Sequence, residues 1–313
     1  MSIATNILCA IVLLKSITII KWLCNRIFMN ILINGLNNYV GRRCASLMAD
    51  EDFQVFAITR NKKLFQERMS EPLHAQVFEV DLLKGDKKGE VRISNLDASF
   101  YFTQVPTLDD LVNLRVELLC LRNFIHMLKG MDCNRLIYVT RLADKRCLEP
   151  ILDLLKECQM DYTVVLKNVV IGKDSVLYSI YQRMSGKSVL FYSKRYGGSL
   201  FRPIGIYDFV RWLKAILKVP AFHYGVLEVG GGELMSVLDL YSLYRKLKLK
   251  LKAQRMICLP HWLLRVMYMS KMHDDTEMAE FRKIIHMNRA VDNAWSVSLP
   301  FTFSTTKEIL LAE

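Results

Sequence analysis

The chain has 313 residues, 52% of them hydrophobic and 24% charged, so it can bury a sizeable core without disulfides or metals, which argues against general disorder. Its eight cysteines stand singly, with no C-x-x-C pair and no histidine at zinc-ligand spacing, which points to a reducing compartment and to no metal site. The formal charge of +12 attracts anions, but no zinc finger, RNP-like motif or aromatic-interleaved basic stripe accompanies it, so nucleic acid is not an expected partner.

Residues 1–28 open with a strongly apolar segment, Ile3 to Phe28, that carries no acidic residue. Lys15 and Lys21 cut it into runs too short to span a bilayer, and no small-residue cleavage pattern follows. Met29 stands directly before the first strand-like run. Three readings stay open for this extension: a start set upstream of the true one, a monotopic or signal-anchor helix at a membrane surface, or a packed helix.

From Met29 onward, short β-branched runs alternate with amphipathic stretches, the pattern of a parallel sheet with crossover helices. Residues 31–34 predict a first strand and 40–49 its helix, with further strands at 55–59, 77–80 and 98–103. A long helix follows at 109–129, then a strand at 135–140, a helix at 148–159 and a strand at 162–166. Right-handed crossovers make this an α/β, Rossmann-type doubly wound parallel sheet over residues 29–172.

Beyond that point the regularity drops. Short strands at 189–192 and 226–229 mix with helices at 208–217 and 235–246, which predicts a smaller C-terminal substrate lobe over 173–313, interleaved with the sheet. The run Lys246-Leu247-Lys248-Leu249-Lys250-Leu251-Lys252 reads as a solvated edge strand or a helix end. The acidic cluster at 273–280 reads as the capped first turn of a helix, Asp208 as a helix-start residue, and the Met and aromatic residues at 262–272 as lobe packing.

The chemistry concentrates at Ile33-Asn34-Gly35-Leu36-Asn37-Asn38-Tyr39-Val40-Gly41. Gly35 permits a tight turn and Gly41 lets the helix pack closely on the strand. The backbone N–H groups around Asn37, Tyr39 and Val40 then face a pyrophosphate at the helix start. Asn38 stands where such turns place a central glycine; it tolerates the left-handed conformation but brings a side chain near the phosphates. A purely structural turn would use the same residues. Arg60 ends the second strand, with no acidic residue there, which favours the 2′-phosphate of NADP over NAD. Asp81 ends the third strand, placed either to bond the adenine amino group or to cap a helix.

These pieces resemble the atypical short-chain dehydrogenases, specifically the NmrA-like group of NAD(P)H-binding proteins. The turn matches the group's T-G-A-T-G-x-V-G, Val80-Asp81-Leu82 its strand-end Asp-Leu, and Arg135-Leu136-Ile137-Tyr138-Val139-Thr140 its fifth strand. Collinear matches follow at Asn168-Val169-Val170-Ile171-Gly172, at Arg202-Pro203-Ile204-Gly205-Ile206-Tyr207-Asp208 and at Leu227-Glu228-Val229-Gly230-Gly231. The resemblance implies a dinucleotide site that also includes Asp81, Leu82 and Thr103, and a small-molecule substrate held between sheet and lobe.

It also exposes a gap. Typical members place a Tyr-x-x-x-Lys pair after the fifth strand, the lysine lowering the tyrosine pKa for proton exchange, and this chain has none there. Tyr244 and Lys248 match the spacing by chance, far along the sequence. Thr140 is the candidate catalytic hydroxyl by position, with capping of the strand end as its structural alternative. The implied function is an NADPH-dependent oxidoreductase of a small apolar carbonyl, enone or quinone. A non-catalytic dinucleotide-binding regulator or assembly factor is one alternative, and a membrane-surface protein acting on a lipid or quinone another. A cytoplasmic location is expected, at a membrane surface if residues 1–28 anchor the chain; the sequence does not disclose the oligomeric state.

Overall fold

Side chains that alternate along the strands divide the core into two layers, and that division sets the architecture. The computed structural model describes residues 29–50, 52–67, 73–85, 91–194, 199–250, 254–260, 262–263 and 291–312. The apolar extension 1–28, the acidic cluster 273–280 and the Met and aromatic run beyond Leu263 lie outside the described residues.

The chain runs through β1 (Met29–Asn34), α1 (Tyr39–Leu47), β2 (Phe53–Thr59), α2 (Lys62–Glu67) and β3 (Gln76–Glu79), then β4 (Leu96–Phe102), α3 (Leu111–Lys129), β5 (Arg135–Arg141), α4 (Glu149–Glu157) and β6 (Asp161–Lys167). It continues through β7 (Val170–Ile171), α5 (Val176–Ser185), β8 (Val189–Tyr192), β9 (Leu200–Phe201), β10 (Ile204–Gly205), α6 (Ile206–Leu217) and β11 (Gly225–Val229). Last come β12 (Met235–Ser236), α7 (Val237–Leu247), β13 (Arg255–Cys258) and α8 (Thr306–Ala312). Every element predicted before residue 172 is present with its ends within two residues of the expectation. The short α2 was not predicted, because six residues carry too little periodicity to signal a helix.

Among the described residues, seven parallel strands form one sheet in the order β11-β6-β5-β4-β1-β2-β3. The chain builds outward from β1 to β3 and then returns to build from β4 the other way, so the order reverses between β1 and β4. In β1, Leu32 faces the layer that includes Leu121 and Phe124 of α3, whereas Ile31 and Ile33 face the layer that includes Val40 of α1 and Trp212 of α6. Strands covered on both faces read as near-continuous apolar runs, as these do.

The segment 226–229, expected within a lobe interleaved with the sheet, is β11, paired parallel to β6 at the edge of the main sheet. The turn before it is docked there: Tyr224 N–H donates to the Tyr162 carbonyl at 2.6 Å, and Thr163 Oγ1 donates to the Phe222 carbonyl at 2.7 Å. Five residues carry no signal of which sheet they join.

Residues beyond 172 therefore build sheet and covering layer alike. Two motif pieces meet there: Gly231 N–H donates to the Arg202 carbonyl at 3.2 Å, and Arg202 Nη1 donates to the Gly232 carbonyl at 2.7 Å. The start of the lysine run closes α7, whose N-terminus carries a capping box between Ser236 and Asp239. Among the described residues no helix is long and apolar enough to cross a membrane.

The segment 291–312 returns to the sheet. Trp295 meets Trp212 edge-on at 5.3 Å, is buried, and donates its indole N–H to the Glu228 carbonyl at 2.8 Å. Asp208, in the first turn of α6, accepts the Ser304 N–H at 2.7 Å. Removing the Trp295 ring deletes both an aromatic anchor and a buried hydrogen bond. Trp295→Ala is therefore expected to lower unfolding free energy by about 3–5 kcal/mol, read as a shifted urea midpoint.

Candidate functional site

Ligands in open α/β sheets lie outside the carboxyl ends of the strands where the strand order reverses, here between β1 and β4. The turn after β1 is shaped for close approach. Gly35 has φ +105°, and a Cβ on it would lie 2.6 Å from Phe102 Cβ. A Cβ on Gly41 would lie 2.4 Å from the Gly35 carbonyl oxygen, so only glycine lets α1 come down onto the turn. Cys44 and Ala45 continue that small, buried face.

Asn38 does not adopt the left-handed conformation that its glycine-like position allows. It is extended (φ −84°, ψ 136°) and caps α1, its Oδ1 accepting the Val40 N–H at 2.9 Å. A short carboxamide reaches the second helical N–H better than it fits a left-handed turn. One N–H expected to face a phosphate is thus already satisfied, and the Asn38 N–H itself donates to the Gly35 carbonyl at 2.8 Å. Asn37 is exposed and Tyr39 half-buried at the lip of the turn.

At the end of β2 the Arg60 side chain is 64% exposed, and its Nε lies 3.5 Å from Asp81 Oδ1. The acid missing from the end of β2 is supplied from beyond β3. Asp81 also accepts the Leu83 N–H at 3.2 Å, the short-range turn bond that competes with its expected ligand role. Leu82 is displaced from the expectation: it is buried in the α3-side core, and its carbonyl accepts from Asn123 Nδ2 at 2.7 Å.

The β4 and β5 ends are closed by internal polar contacts. Thr103 Oγ1 lies 3.1 Å from the Val139 carbonyl and 3.3 Å from Tyr138 Oη. Thr140 is 1% exposed and donates to Asp144 Oδ2 at 3.0 Å, so the hydroxyl expected at the reacting centre is held inside the protein. Asp144 also takes Arg141 Nε at 2.7 Å, and Lys145 pairs with Glu228. No tyrosine lies in the turn Leu142–Cys147 or in α4. Tyr244, on α7, is buried beside Tyr178 and Tyr181.

Sequence reasoning missed Glu117 and Tyr138. Glu117 is fully buried on α3, accepting Tyr138 Oη–H at 3.1 Å and the Gln104 N–H at 3.0 Å. Burial pushes its carboxyl up to about 7, partly offset by these hydrogen bonds. The signal was present: Glu117 shares the helical phase of Leu121, Phe124 and Leu128, all buried.

No protein-family profile and no curated protein sequence matches the chain. Solved structures do. The NADPH-dependent quinone oxidoreductase of Escherichia coli in complex with NADPH superposes with a TM-score of 0.63 at 14% identity, over 90% of this chain and 98% of that one. A nucleoside-diphosphate-sugar epimerase from Staphylococcus aureus gives 0.62 at 14% identity, over 90% and 100%. The Bordetella bronchiseptica enzyme WbmH in complex with NAD+ gives 0.63 at 15% identity, over 91% and 96%. These likenesses establish a Rossmann-type fold.

The turn's geometry is itself testable. Gly35→Ala combines a strained φ with contact against Phe102, so it should destabilise by about 1–3 kcal/mol, measured by thermal or urea unfolding.

Proposed function

We propose that this chain is an NAD(P)-binding protein of the short-chain dehydrogenase superfamily, nearest its NmrA-like group, that takes NADP in the crevice between β1 and β4 and acts as an oxidoreductase on a small apolar acceptor. The observation that carries the reading is the pair Gly35 and Gly41, whose missing Cβ atoms let a helix N-terminus and a strand-end turn close around a pyrophosphate at the sheet's reversal point. The residues present fit such a ligand. Backbone N–H groups at Asn37 and Tyr39 would meet the phosphates, Arg60 the 2′-phosphate, and Asp81 the adenine amino group. The similarity in fold to proteins solved with NADPH or NAD+ supports the same reading.

When bound, the reduced cofactor supplies a hydride. This chain's own residues then limit the acceptor. Thr140 is turned into Asp144, and no Tyr-x-x-x-Lys pair follows β5 to protonate an alkoxide. Acceptors whose reduced form is a stabilised anion that water can protonate, a quinone or an enone, suit the site better than a simple ketone. A second reading, a non-catalytic dinucleotide-binding regulator or assembly factor, is favoured by the Asn38 cap and the same missing pair.

Titration with NADPH and NADH by intrinsic fluorescence, followed by NADPH oxidation with a panel of quinones, enones and ketones, separates these readings. Turnover of a quinone or enone supports the first, binding without turnover the second, and absence of dinucleotide binding removes both. Arg60→Ala should weaken NADPH about ten-fold or more, from the loss of a charged hydrogen bond, and leave NADH unchanged. Asn38→Gly frees the Val40 N–H and should tighten both dinucleotides, while costing α1 only a few tenths of a kcal/mol.

A further inference from the structure

A carboxylate in the middle of an apolar helix face is expensive to desolvate, and a leucine at position 117 would pack there without that cost. What Glu117 does instead is hold a loop. Its Oε2 accepts the Gln104 N–H at 3.0 Å, and the Val105 N–H bonds it as well. Further along the same connection, Asp144 Oδ1 accepts the Leu108 N–H at 3.3 Å, and Arg141 donates to the carbonyls of Val105, at 3.4 Å, and Pro106.

The other side of this loop faces the glycine turn. Gln104 Nε2 donates to the Phe102 carbonyl at 2.6 Å and lies 3.2 Å from where a Gly35 Cβ would sit. Gln104 thus joins the Glu117 carboxylate, through its N–H, to the end of β4 beside the Gly35 turn, through its carboxamide. We propose that Glu117 is a positioning residue for the dinucleotide site: its ionised carboxylate fixes residues 103–105 against the Gly35 turn, and its protonation loosens them. The inference rests on the dinucleotide reading of that crevice.

The groups facing Glu117 leave it as the member of the cluster that changes charge near neutrality. Tyr138 of β5 and Tyr101 of β4 are pushed well above the usual phenol range by burial and by Glu117 itself. Cys120, on the same helix, is pushed up to about 11 by burial. Arg141 at the end of β5 is a cation that favours the ionised carboxylate. Asp144, in the turn after β5, acts on Tyr138.

The sign follows from the bonds. Above about 7 the carboxylate is ionised and its hydrogen bonds are charge-assisted, roughly twice as strong as neutral ones. Below that the proton occupies one oxygen and the hold on Gln104 weakens. Dinucleotide affinity should therefore fall as pH falls from 8 to 6.

The test uses the full chain in two measurements across pH 6–8.5: the NADPH dissociation constant by fluorescence, and hydrogen-exchange protection of the Gln104 and Val105 amides without ligand, corrected for intrinsic rates. The expected result is a dissociation constant about five-fold weaker at pH 6 than at pH 8, with protection falling at the same midpoint near 7. Glu117→Gln should flatten the exchange profile and remove the step near 7 from the binding profile, leaving only the change contributed by the cofactor's own 2′-phosphate, which ionises at about 6. Should that variant not fold, Tyr138→Phe removes one bond to the carboxylate and should move the midpoint to higher pH. Protection at Gln104 and Val105 that is constant across this range, or a Glu117→Gln profile like the wild type, overturns the proposal. NADPH binding that is absent at every pH overturns the dinucleotide reading and the positioning role with it, while the exchange midpoint still reports whether Glu117 holds the loop.

Discussion

Helix α1 lies so close to the end of β1 that one methyl group on Gly41 would stand 2.4 Å from the Gly35 carbonyl oxygen. That approach is possible because the helix presents Gly41, Cys44 and Ala45 to the sheet. With α1 seated, α6 can pack beside it on the same layer, and Arg43 of α1 reaches Tyr207 of α6 at 3.4 Å. With Gly35 turned tightly, Phe102 of β4 fills the space beside it at the point where the strand order reverses. Move the helix outward by the width of a side chain, and the turn, the layer and the crevice all lose their shape together.

On the other half of the sheet, polar groups at the strand ends are spent on the protein itself. Tyr101 and Tyr138 stack at 5.6 Å across β4 and β5, and Tyr138, Thr140 and Arg141 are all engaged by acidic residues of α3 or the turn after β5. These contacts tie the loops after β4 and β5 to one another and to α3. Gly35 and Gly41 keep α1 close to the turn after β1, whereas the end of β5 spends its hydroxyls and its cation internally.

Much of this was legible in the sequence. Short β-branched runs between amphipathic stretches marked the sheet, and Gly35 and Gly41 its turn, since each depends on neighbours a few residues apart. What escaped depended on partners far along the chain. Asp81 reaches back to Arg60, so the acid judged absent from one strand end arrives from the next. Leu82, which the family resemblance placed at the dinucleotide, has its side chain buried in the core on the α3 side. The edge strand β11 is placed by hydrogen bonds to Tyr162 and Thr163 that lie some 60 residues earlier. Asn38 shows the opposite case: a residue read through its glycine-like position behaves by its own side-chain chemistry and caps the helix.

The return of residues 291–312 to the sheet also orders events in time. A ribosome releases the chain from its amino end at about 5–20 residues per second, so β1 to β6 and α6 emerge well before Trp295. Until then Trp212 and its neighbours form an apolar face with no cover from that segment. The nascent chain therefore carries a finished main sheet with an apolar patch around Trp212 that this segment has not yet covered. The last indole to arrive closes it.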